Sequence, residues 1–284
     1  MIQADANWLT HTLGPSFERF TQRWRDHDHP DRARFLPVLW NATPIGQVPA
    51  AIAPQILQAL ELAGLKHSLH NARIDIHVPL SGGPLDEALA VFTAHLKSLG
   101  LLPGWRNENQ LILEQQASLM AEMELSAFKI LGLRSRAVHV HVQTPKGLIW
   151  VGVRSTSKHE NPGMLDNLAA GGIAQHETVQ DTLWRELGEE AGLCADDFLH
   201  ISAFDPHEFV INRPMQGDGW HHESVYFFHG TLKAGRRPTN RDAEVAGFHL
   251  MTREACRAAV NELAFTPDAG LCTALALQKD TSHS

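Results

Sequence analysis

The chain has 284 residues, 43% of them hydrophobic, so it can bury a substantial core as one large domain or two small ones. Its formal net charge of −8, without a concentrated Lys/Arg run, argues against a nucleic-acid partner but not against an anionic small molecule held through a metal ion. No apolar run of about 18 residues and no secretion-signal pattern occurs, which argues against a membrane partner. Three widely spaced cysteines are typical of a cytoplasmic protein.

The first part of the chain predicts a small α+β module over residues 1–133. Apolar residues recur at three- and four-residue spacing in four segments, which predicts helices over Trp8 to Arg25, Ala53 to Leu65, Leu85 to Leu99 and Leu113 to Leu131. Two shorter segments bounded by Pro and Gly predict strands, Arg34 to Trp40 and Arg73 to Val78.

The second part, residues 134–284, has the pattern of an α/β domain. Val138, Val140 and Val142 alternate with polar residues, and the turn residues 145–147 precede a second apolar segment, so a β-hairpin is expected. Further segments predict two more strands and a helix, namely Ser224 to Leu232, Val245 to Met251 and Thr252 to Leu263.

The best-defined helix of this domain is predicted from Thr178 to Ala191. Thr178 and Asp181 have the spacing of a capping box, and Gly192 follows where a left-handed C-terminal cap is favoured. Leu183 and Leu187 lie on one face of this helix, which predicts packing against a sheet.

Three carboxylates of this helix, Glu186, Glu189 and Glu190, fall on one side of it, beside the apolar stripe. Like charges at this spacing destabilise a helix, so a cation is expected to compensate them. Oxygen ligands of this kind favour Mg²⁺ or Mn²⁺. The alternative is a Glu-rich helix face that is simply exposed to solvent. Only the spacing of residues over the longer segment from Gly171 to Leu193 argues against it.

Histidines offer a second set of candidate ligands. The pairs His139/His141 and His221/His222 could bind a metal ion, but alternating histidines on predicted strands more commonly make structural hydrogen bonds. We therefore expect a structural role for these residues.

The run from Gly171 to Leu193 resembles the Nudix box, Gly-x5-Glu-x7-Arg-Glu-aliphatic-x-Glu-Glu-x-Gly-aliphatic, at every fixed position. A chance match in a chain of this length has odds on the order of 10⁻⁷. The resemblance implies a Nudix fold, an α/β/α sandwich with a mixed sheet, and a Mg²⁺- or Mn²⁺-dependent hydrolase that cleaves a diphosphate linkage.

The same resemblance implies roles for individual residues of the box. Glu186, Glu189 and Glu190 would bind the metal ions together with the carbonyl oxygen of Ala170. Arg185 would orient Glu177 or a metal-binding carboxylate. Gly171 and Gly172 would let the backbone approach a bound phosphate.

The general base is not fixed by the box, because a carboxylate must accept or direct the proton of the attacking water and family members differ in which one does so. Glu189 is one candidate. Glu244, at the start of a predicted strand, is another, and Glu223 is a weaker third.

The sequence around the box, from Trp150 to Gly172, looks like the thiamine pyrophosphokinase-related Nudix subgroup, whose members also have an N-terminal module. This implies a damaged, oxidised thiamine diphosphate as the substrate. Arg154 and Lys158 could then neutralise the outer phosphate, Asn167 could fix the loop or a substrate group, and Trp150 or Trp220 could stack on the heterocycle.

Two other functions stay open. One is a pyrophosphohydrolase of nucleoside diphosphate derivatives such as ADP-ribose, which the box does not exclude. The other is a non-catalytic ligand sensor with a Nudix fold, for which a degenerate box would be expected. The sequence also leaves open whether the protein is a homodimer.

Overall fold

The computed structural model describes residues 2–28, 34–78, 83–105, 107–114, 119–158, 160–203, 207–214 and 219–279. The helices in these ranges are α1 (Ala6–Leu13), α2 (Glu18–Asp28), α3 (Ala53–Leu62), α4 (Gly83–Ser98), α5 (Leu125–Leu131), α6 (Val179–Ala191), α7 (Arg253–Asn261) and α8 (Pro267–Lys279). The strands are β1 (Ile2–Gln3), β2 (Phe35–Trp40), β3 (Thr43–Pro49), β4 (Lys66–His70), β5 (Arg73–His77), β6 (Asn109–Glu114), β7 (Leu119–Glu124), β8 (Ser135–Gln143), β9 (Ile149–Arg154), β10 (Leu165–Asp166), β11 (Ala169–Gly172), β12 (Phe198–Ile201), β13 (His207–Pro214), β14 (Trp220–Leu232) and β15 (Val245–Met251).

A large mixed sheet forms the centre of the second part of the chain. Among the described residues it has nine strands, with the order β1-β13-β14-β8-β9-β10 and with β11 beside β8, β12 beside β14 and β15 beside β9. β14 and β8 are parallel, whereas β8 and β9 are antiparallel. The predicted mixed sheet is confirmed.

The two faces of the large sheet are covered by different helices. Val138 and Phe228 point to one face and pack against α6 through Leu183 and Leu187; we call this the α6 face. Alternate residues such as Phe227 point to the opposite face, where α1, α2, α7 and α8 pack; we call this the α8 face. This arrangement is an α/β/α sandwich, as expected.

Residues 2–28 lie with the large sheet. β1 pairs with β13 in parallel, and the side chains of Phe17 and Trp24 are buried in the core of the α8 face. The single helix predicted from Trp8 to Arg25 is two helices, because Gly14 adopts a left-handed φ of 60° and Pro15 follows it. The division of the chain at residue 133 stays a prediction.

A second core lies in the described residues between 35 and 133. The small sheet, ordered β3-β2-β5-β4, packs with α3, α4 and α5 around side chains such as Trp40, Ile74 and Phe92. The predicted helices at α3 and α4 and the predicted strands at β2 and β5 are confirmed within a few residues. This part of the chain contains both helices and strands, and a separate module over residues 1–133 stays a prediction.

The helix predicted from Leu113 to Leu131 is wrong for residues 113–114 and 119–124, which form strands, and residues 115–118 lie outside the described residues. β6 and β7 form an antiparallel pair with Ile112 opposite Ala121, and α5 is helical as predicted. Apolar residues recur here at spacings that suit either structure, and cross-strand pairing buries both Ile112 and Ala121.

The C-terminal helix α8 is not among the predicted elements. Its buried residues lie on most of its sides and include Ala269, Leu271, Cys272, Ala274 and Leu277. A helix buried this completely lacks the polar face that produces an amphipathic period. Within the described ranges, no helix is long and apolar enough to cross a membrane.

Candidate active site

Helix α6 forms where the sequence predicts it, with both ends capped. The Thr178 hydroxyl accepts a hydrogen bond from the Asp181 backbone N–H at 3.1 Å, and the Asp181 carboxylate accepts one from the Thr178 N–H at 3.0 Å. Gly192 closes the C-terminus in the left-handed conformation. Because Leu183 and Leu187 are buried against the large sheet, the rotation of α6 is fixed and its carboxylates face β11.

Arg185 lies at the centre of the carboxylate group. Its guanidinium donates to both oxygens of Glu177, at 2.6 and 3.0 Å, to Glu186 at 2.7 Å and to Glu189 at 3.0 Å. It also donates to the carbonyl oxygen of Gly172 at 3.1 Å, which ties α6 to β11. The planar fork of arginine is suited to binding several carboxylates in one fixed arrangement.

Strand β11 approaches α6 closely because it carries glycine. A Cβ atom at Gly171 would overlap the carboxylate of Glu186, so a larger residue there would have to displace this side chain. One residue earlier, the backbone N–H of Ala170 donates to Glu190 at 3.0 Å. The N–H and C=O of one strand residue point to the same side, so the Ala170 carbonyl lies on the edge that faces Glu190.

Glu186 and Glu190 are both 7% exposed. Burial raises the pKa of Glu186, although the charge and hydrogen bond of Arg185 oppose this. Burial also raises the pKa of Glu190 well above its ordinary value, and the nearby charge of Glu186 adds to the effect. Glu177 behaves in the opposite way, because hydrogen bonds from Arg185 lower its pKa despite partial burial.

The donor set of this group fits a hard divalent cation. One guanidinium, that of Arg185, contacts three carboxylates, and the charge of Glu186 acts on a fourth, Glu190, so carboxylates outnumber cations at this partly buried site. The candidate ligands are all oxygen atoms, which Mg²⁺ and Mn²⁺ prefer. The residues therefore fit the ion that the sequence predicts.

The two candidate bases have exposed side chains, Glu189 at 57% and Glu244 at 47%. Glu244 forms an ion pair with Lys158, and its backbone carbonyl accepts a hydrogen bond from the Ser155 N–H at 2.8 Å. Glu223, the weaker candidate, lies on the α8 face with Phe227 and pairs with Ser135, the first residue of β8. That position is across the sheet from Glu186 and Glu190, so the interpretation of Glu223 as the base is wrong.

The predicted substrate-binding side chains are engaged within the protein. Arg154 donates to Asp166 at 2.8 Å and to the carbonyl oxygen of Glu160 at 3.1 and 3.2 Å, which braces the loop between β9 and β10. Asn167 is 5% exposed and is hydrogen-bonded to His139 at 3.0 Å and to Thr273 at 3.2 Å. The Asn167 side chain therefore points into the α8 face and does not reach the carboxylates.

The two tryptophans predicted as stacking platforms are in the interior. Trp150 is 8% exposed and packs in the core of the α6 face, and Trp220 is 7% exposed. The Trp220 indole donates to Asn212 at 2.6 Å and contacts Phe35 edge-on. Neither ring presents an open face to a ligand.

Sequence reasoning did not select three residues close to the carboxylate group. The charges of Asp166 and Asp242 add to the raised pKa of Glu190. Gln110 on β6 makes two hydrogen bonds of 3.2 Å to the Arg136 backbone and would contact a Cβ at Gly172 at 2.7 Å. The position of Asp166, just before the glycines of the box, was a usable signal, whereas Gln110 becomes adjacent only through tertiary packing.

A cavity of about 590 Å³ lies on the other side of α6 and is lined by residues that include Trp184, Gly188 and Arg241. At 100° per residue, Trp184 and Gly188 point away from Glu186. We therefore do not assign this cavity to the carboxylate site.

Comparison with known proteins matches residues 133–269 to the NUDIX domain family. The chain is 28% identical to Nudix hydrolase 24 (chloroplastic) of Arabidopsis thaliana over 61% of its own length and 48% of that protein. It is 29% identical to Nudix hydrolase 20 (chloroplastic) of the same plant, over 54% of this chain and 41% of that protein. It thus spans about half the length of these curated relatives.

Among solved structures, the protein DR0079 from Deinococcus radiodurans superposes with a TM-score of 0.46 and 18% identity. The match covers 58% of this chain and 97% of that structure.

Proposed function

We propose that this chain is a metal-dependent pyrophosphohydrolase that cleaves a diphosphate linkage, since its residues 133–269 match the NUDIX domain family. The observation that carries the proposal is the buried pair Glu186 and Glu190, which lies beside β11 with more carboxylates than cations around it. Buried like charges are costly unless a cation joins them. A divalent ion that also binds a diphosphate would supply this charge.

Mg²⁺ or Mn²⁺ would be held by Glu186, Glu189 and Glu190 with the carbonyl oxygen of Ala170. Such an ion polarises a phosphoryl oxygen and lowers the pKa of a bound water molecule. Arg185, anchored by both oxygens of Glu177, would keep Glu186 and Glu189 oriented as they turn toward the ion. Gly171 and Gly172 would let the backbone approach a phosphate once the side chains of Glu186 and Gln110, which fill the space of the missing Cβ atoms, move aside.

In the proposed reaction, the oxygen of a water molecule bonds to one phosphorus atom while the anhydride P–O bond breaks. The phosphate on the other side leaves with the bond electrons, and a carboxylate accepts the proton of the water. Glu189 and Glu244 both have solvent-exposed side chains near α6 or the β9–β10 loop, and both stay candidates for this base.

For the substrate, we propose a damaged thiamine diphosphate, cleaved between its two phosphates to the monophosphate. The support is the likeness of residues 150–172 to the thiamine-related subgroup. Arg154 and Lys158 would contact the outer phosphate only by leaving Asp166 and Glu244, respectively, so we expect both contacts to be rearranged on binding.

Product analysis of the purified full chain tests these proposals. We expect Mg²⁺-dependent cleavage, with a higher kcat/KM for oxothiamine diphosphate than for thiamine diphosphate, ADP-ribose or nucleoside triphosphates. If ADP-ribose is preferred by about tenfold or more, the thiamine substrate is wrong and the pyrophosphohydrolase proposal stands. Binding of these compounds without cleavage of any of them would instead indicate the ligand sensor.

A further inference from the structure

A second group of polar side chains lies on the α8 face of the large sheet. It consists of His139 from β8, Glu223 from β14 and Asp268 from the first turn of α8, and we call it the α8-face cluster. Each of the three residues has a ligand atom within 4.8 Å of those of the other two. Within the part of the chain that the structure describes, no other group of three or more His, Cys, Asp or Glu residues is this compact.

The fold brings these three residues together by strand register and helix packing. β14 runs parallel to β8, with Glu223 opposite Ser135 and Phe227 opposite His139, so His139 and Glu223 share the α8 face. Helix α8 begins at Pro267 and crosses this face, which places Asp268 over the two strands. The three residues are far apart in sequence, and the cluster exists only in the folded chain.

His139 is oriented by neighbours in the way that metal-binding histidines usually are. Its Nδ1 lies 3.0 Å from the side-chain oxygen of Asn167, and the Asn167 amide nitrogen donates to Thr273 at 3.2 Å. Because an amide oxygen can only accept, Nδ1 carries a hydrogen, which leaves Nε2 as the nitrogen that a metal ion would bind.

The carboxylates are also held in place. Ser135 donates to one oxygen of Glu223 at 2.8 Å, and His221 lies 3.5 Å from the other oxygen. The Oδ1 atom of Asp268 is shielded from solvent and accepts no hydrogen bond from the described residues; His221 Nδ1 is 3.6 Å away. A buried carboxylate oxygen that lacks a hydrogen bond is unfavourable unless another partner is supplied.

Partial exposure gives an ion a route to the cluster. The side chains of Glu223 and His221 are each 15% exposed and that of Asp268 is 22% exposed, whereas His139 is 6% exposed as a residue. The site is therefore neither sealed inside the core nor open on the surface, which suits an ion that stays bound.

We propose that His139, Glu223 and Asp268 form a second metal site, for Zn²⁺, with His221 orienting the two carboxylates. One imidazole nitrogen with two carboxylates is a ligand set that Zn²⁺ accepts, whereas the oxygen-only group on α6 suits Mg²⁺ or Mn²⁺. The ion would connect α8 to β8 and β14. The proposal does not depend on the hydrolytic reaction, because the large sheet separates the two sites.

The test measures Zn²⁺ binding to the full chain after its hydrolytic carboxylates are removed. The background variant is Glu186→Gln/Glu190→Gln, stripped of metal with a chelator, dialysed and kept in excess Mg²⁺. We expect calorimetric titration and elemental analysis to give one Zn²⁺ per chain. Adding Asp268→Asn or His139→Gln should weaken the Zn²⁺ affinity about 100-fold or more, while the exposed control Glu262→Gln should not change it.

Co²⁺ gives an independent readout. In the same background, Co²⁺ should produce a visible absorption band that Zn²⁺ abolishes and that is missing from the Asp268→Asn chain. The proposal is overturned if the background variant binds no Zn²⁺, or if both cluster variants bind it as tightly as their parent.

If circular dichroism shows that a cluster variant fails to fold, anomalous diffraction from wild-type crystals soaked in Zn²⁺ decides the question. A peak between His139 and Asp268 supports the site, and a well-ordered map without such a peak overturns it.

Discussion

The two faces of the large sheet carry acidic groups that differ in what balances their charge. On the α6 face, one guanidinium, that of Arg185, contacts three carboxylates, and all the candidate ligands are oxygen atoms. On the α8 face, the imidazole of His221 lies between the carboxylates of Glu223 and Asp268. Asn167 and Ser135 orient His139 and Glu223 through hydrogen bonds.

The difference suggests two uses of a metal ion within one sheet. Glu189 on the α6 face is 57% exposed, so an ion there can exchange and can contact a substrate. The carboxylate side chains of the α8-face cluster are less exposed to solvent, at 15% for Glu223 and 22% for Asp268, which suits an ion with a structural role. Four predictions test whether the two groups act separately.

The largest effect is expected for Glu190→Gln. This substitution keeps the shape of a side chain that is 7% exposed but removes a metal-binding charge, so kcat should fall about 100-fold or more while the chain stays folded. Steady-state hydrolysis with circular dichroism measures this, and the exposed carboxylate of Glu262 supplies the control Glu262→Gln. Near-wild-type turnover in Glu190→Gln would remove the basis for the metal site on α6.

The second prediction concerns Arg185→Lys, which keeps the charge but loses the fork that bonds Glu177, Glu186 and Glu189. We expect the affinity for Mg²⁺, taken from the metal dependence of the rate, to fall about 10- to 100-fold. Zn²⁺ binding at the α8-face cluster should not change. A parallel loss at both sites would mean that the two faces are coupled.

The third prediction concerns Asn167→Ala, which should weaken metal binding at the α8-face cluster and leave the α6 site unchanged. Asn167 contacts His139 and Thr273, so Zn²⁺ affinity should fall about tenfold through loss of the support for the His139 ring. The KM for the diphosphate substrate should stay within about twofold, because the side chain points away from α6. A large rise in KM without a change in Zn²⁺ affinity would restore the substrate-binding role predicted from the sequence.

The fourth and smallest effect concerns pH and stability. The folded-state pKa values of Glu186 and Glu190 are raised, so the folded protein binds more protons than the unfolded chain above the ordinary carboxyl pKa. Without metal, stability should therefore fall as pH rises through the raised values.

Glu190→Gln removes most of that loss, and its Tm without metal at neutral pH should exceed that of the wild type by about 2–4 °C. The difference should shrink as pH falls below the raised pKa. Excess Mg²⁺ should reverse it, because the ion stabilises the wild type more strongly. Thermal scans with and without Mg²⁺ across this pH range would disagree with the account if the variant were less stable under every condition.

The sequence predicts the α6 site well because its information is local. The Thr178 and Asp181 cap, the Leu183 and Leu187 stripe and the glycines of β11 all lie within one short segment, and the cap and the stripe form as expected. The roles of the individual carboxylates stay predictions.

What could not be predicted depends on tertiary packing. Asn167 and Glu223 look like active-site residues in sequence, but both side chains lie on the α8 face. Strand alternation in β14 turns Glu223 to that face. Asn167, between β10 and β11, is held there by its hydrogen bonds to His139 and Thr273. Asp268 lies in a helix without an amphipathic pattern, so nothing local indicated that it would meet His139. The α8-face cluster is thus visible only once β8, β14 and α8 are assembled.

Hydrolysis of oxothiamine diphosphate in ¹⁸O-labelled water is the most direct test of the central claim. With Mg²⁺ present, we predict that mass spectrometry finds thiamine-derived monophosphate and phosphate, with one ¹⁸O in only one of the two products. The Glu190→Gln chain should give neither product at a comparable rate. If the wild-type chain with Mg²⁺ or Mn²⁺ releases no labelled product from this substrate, ADP-ribose or any nucleoside triphosphate, the protein is not the pyrophosphohydrolase that we propose.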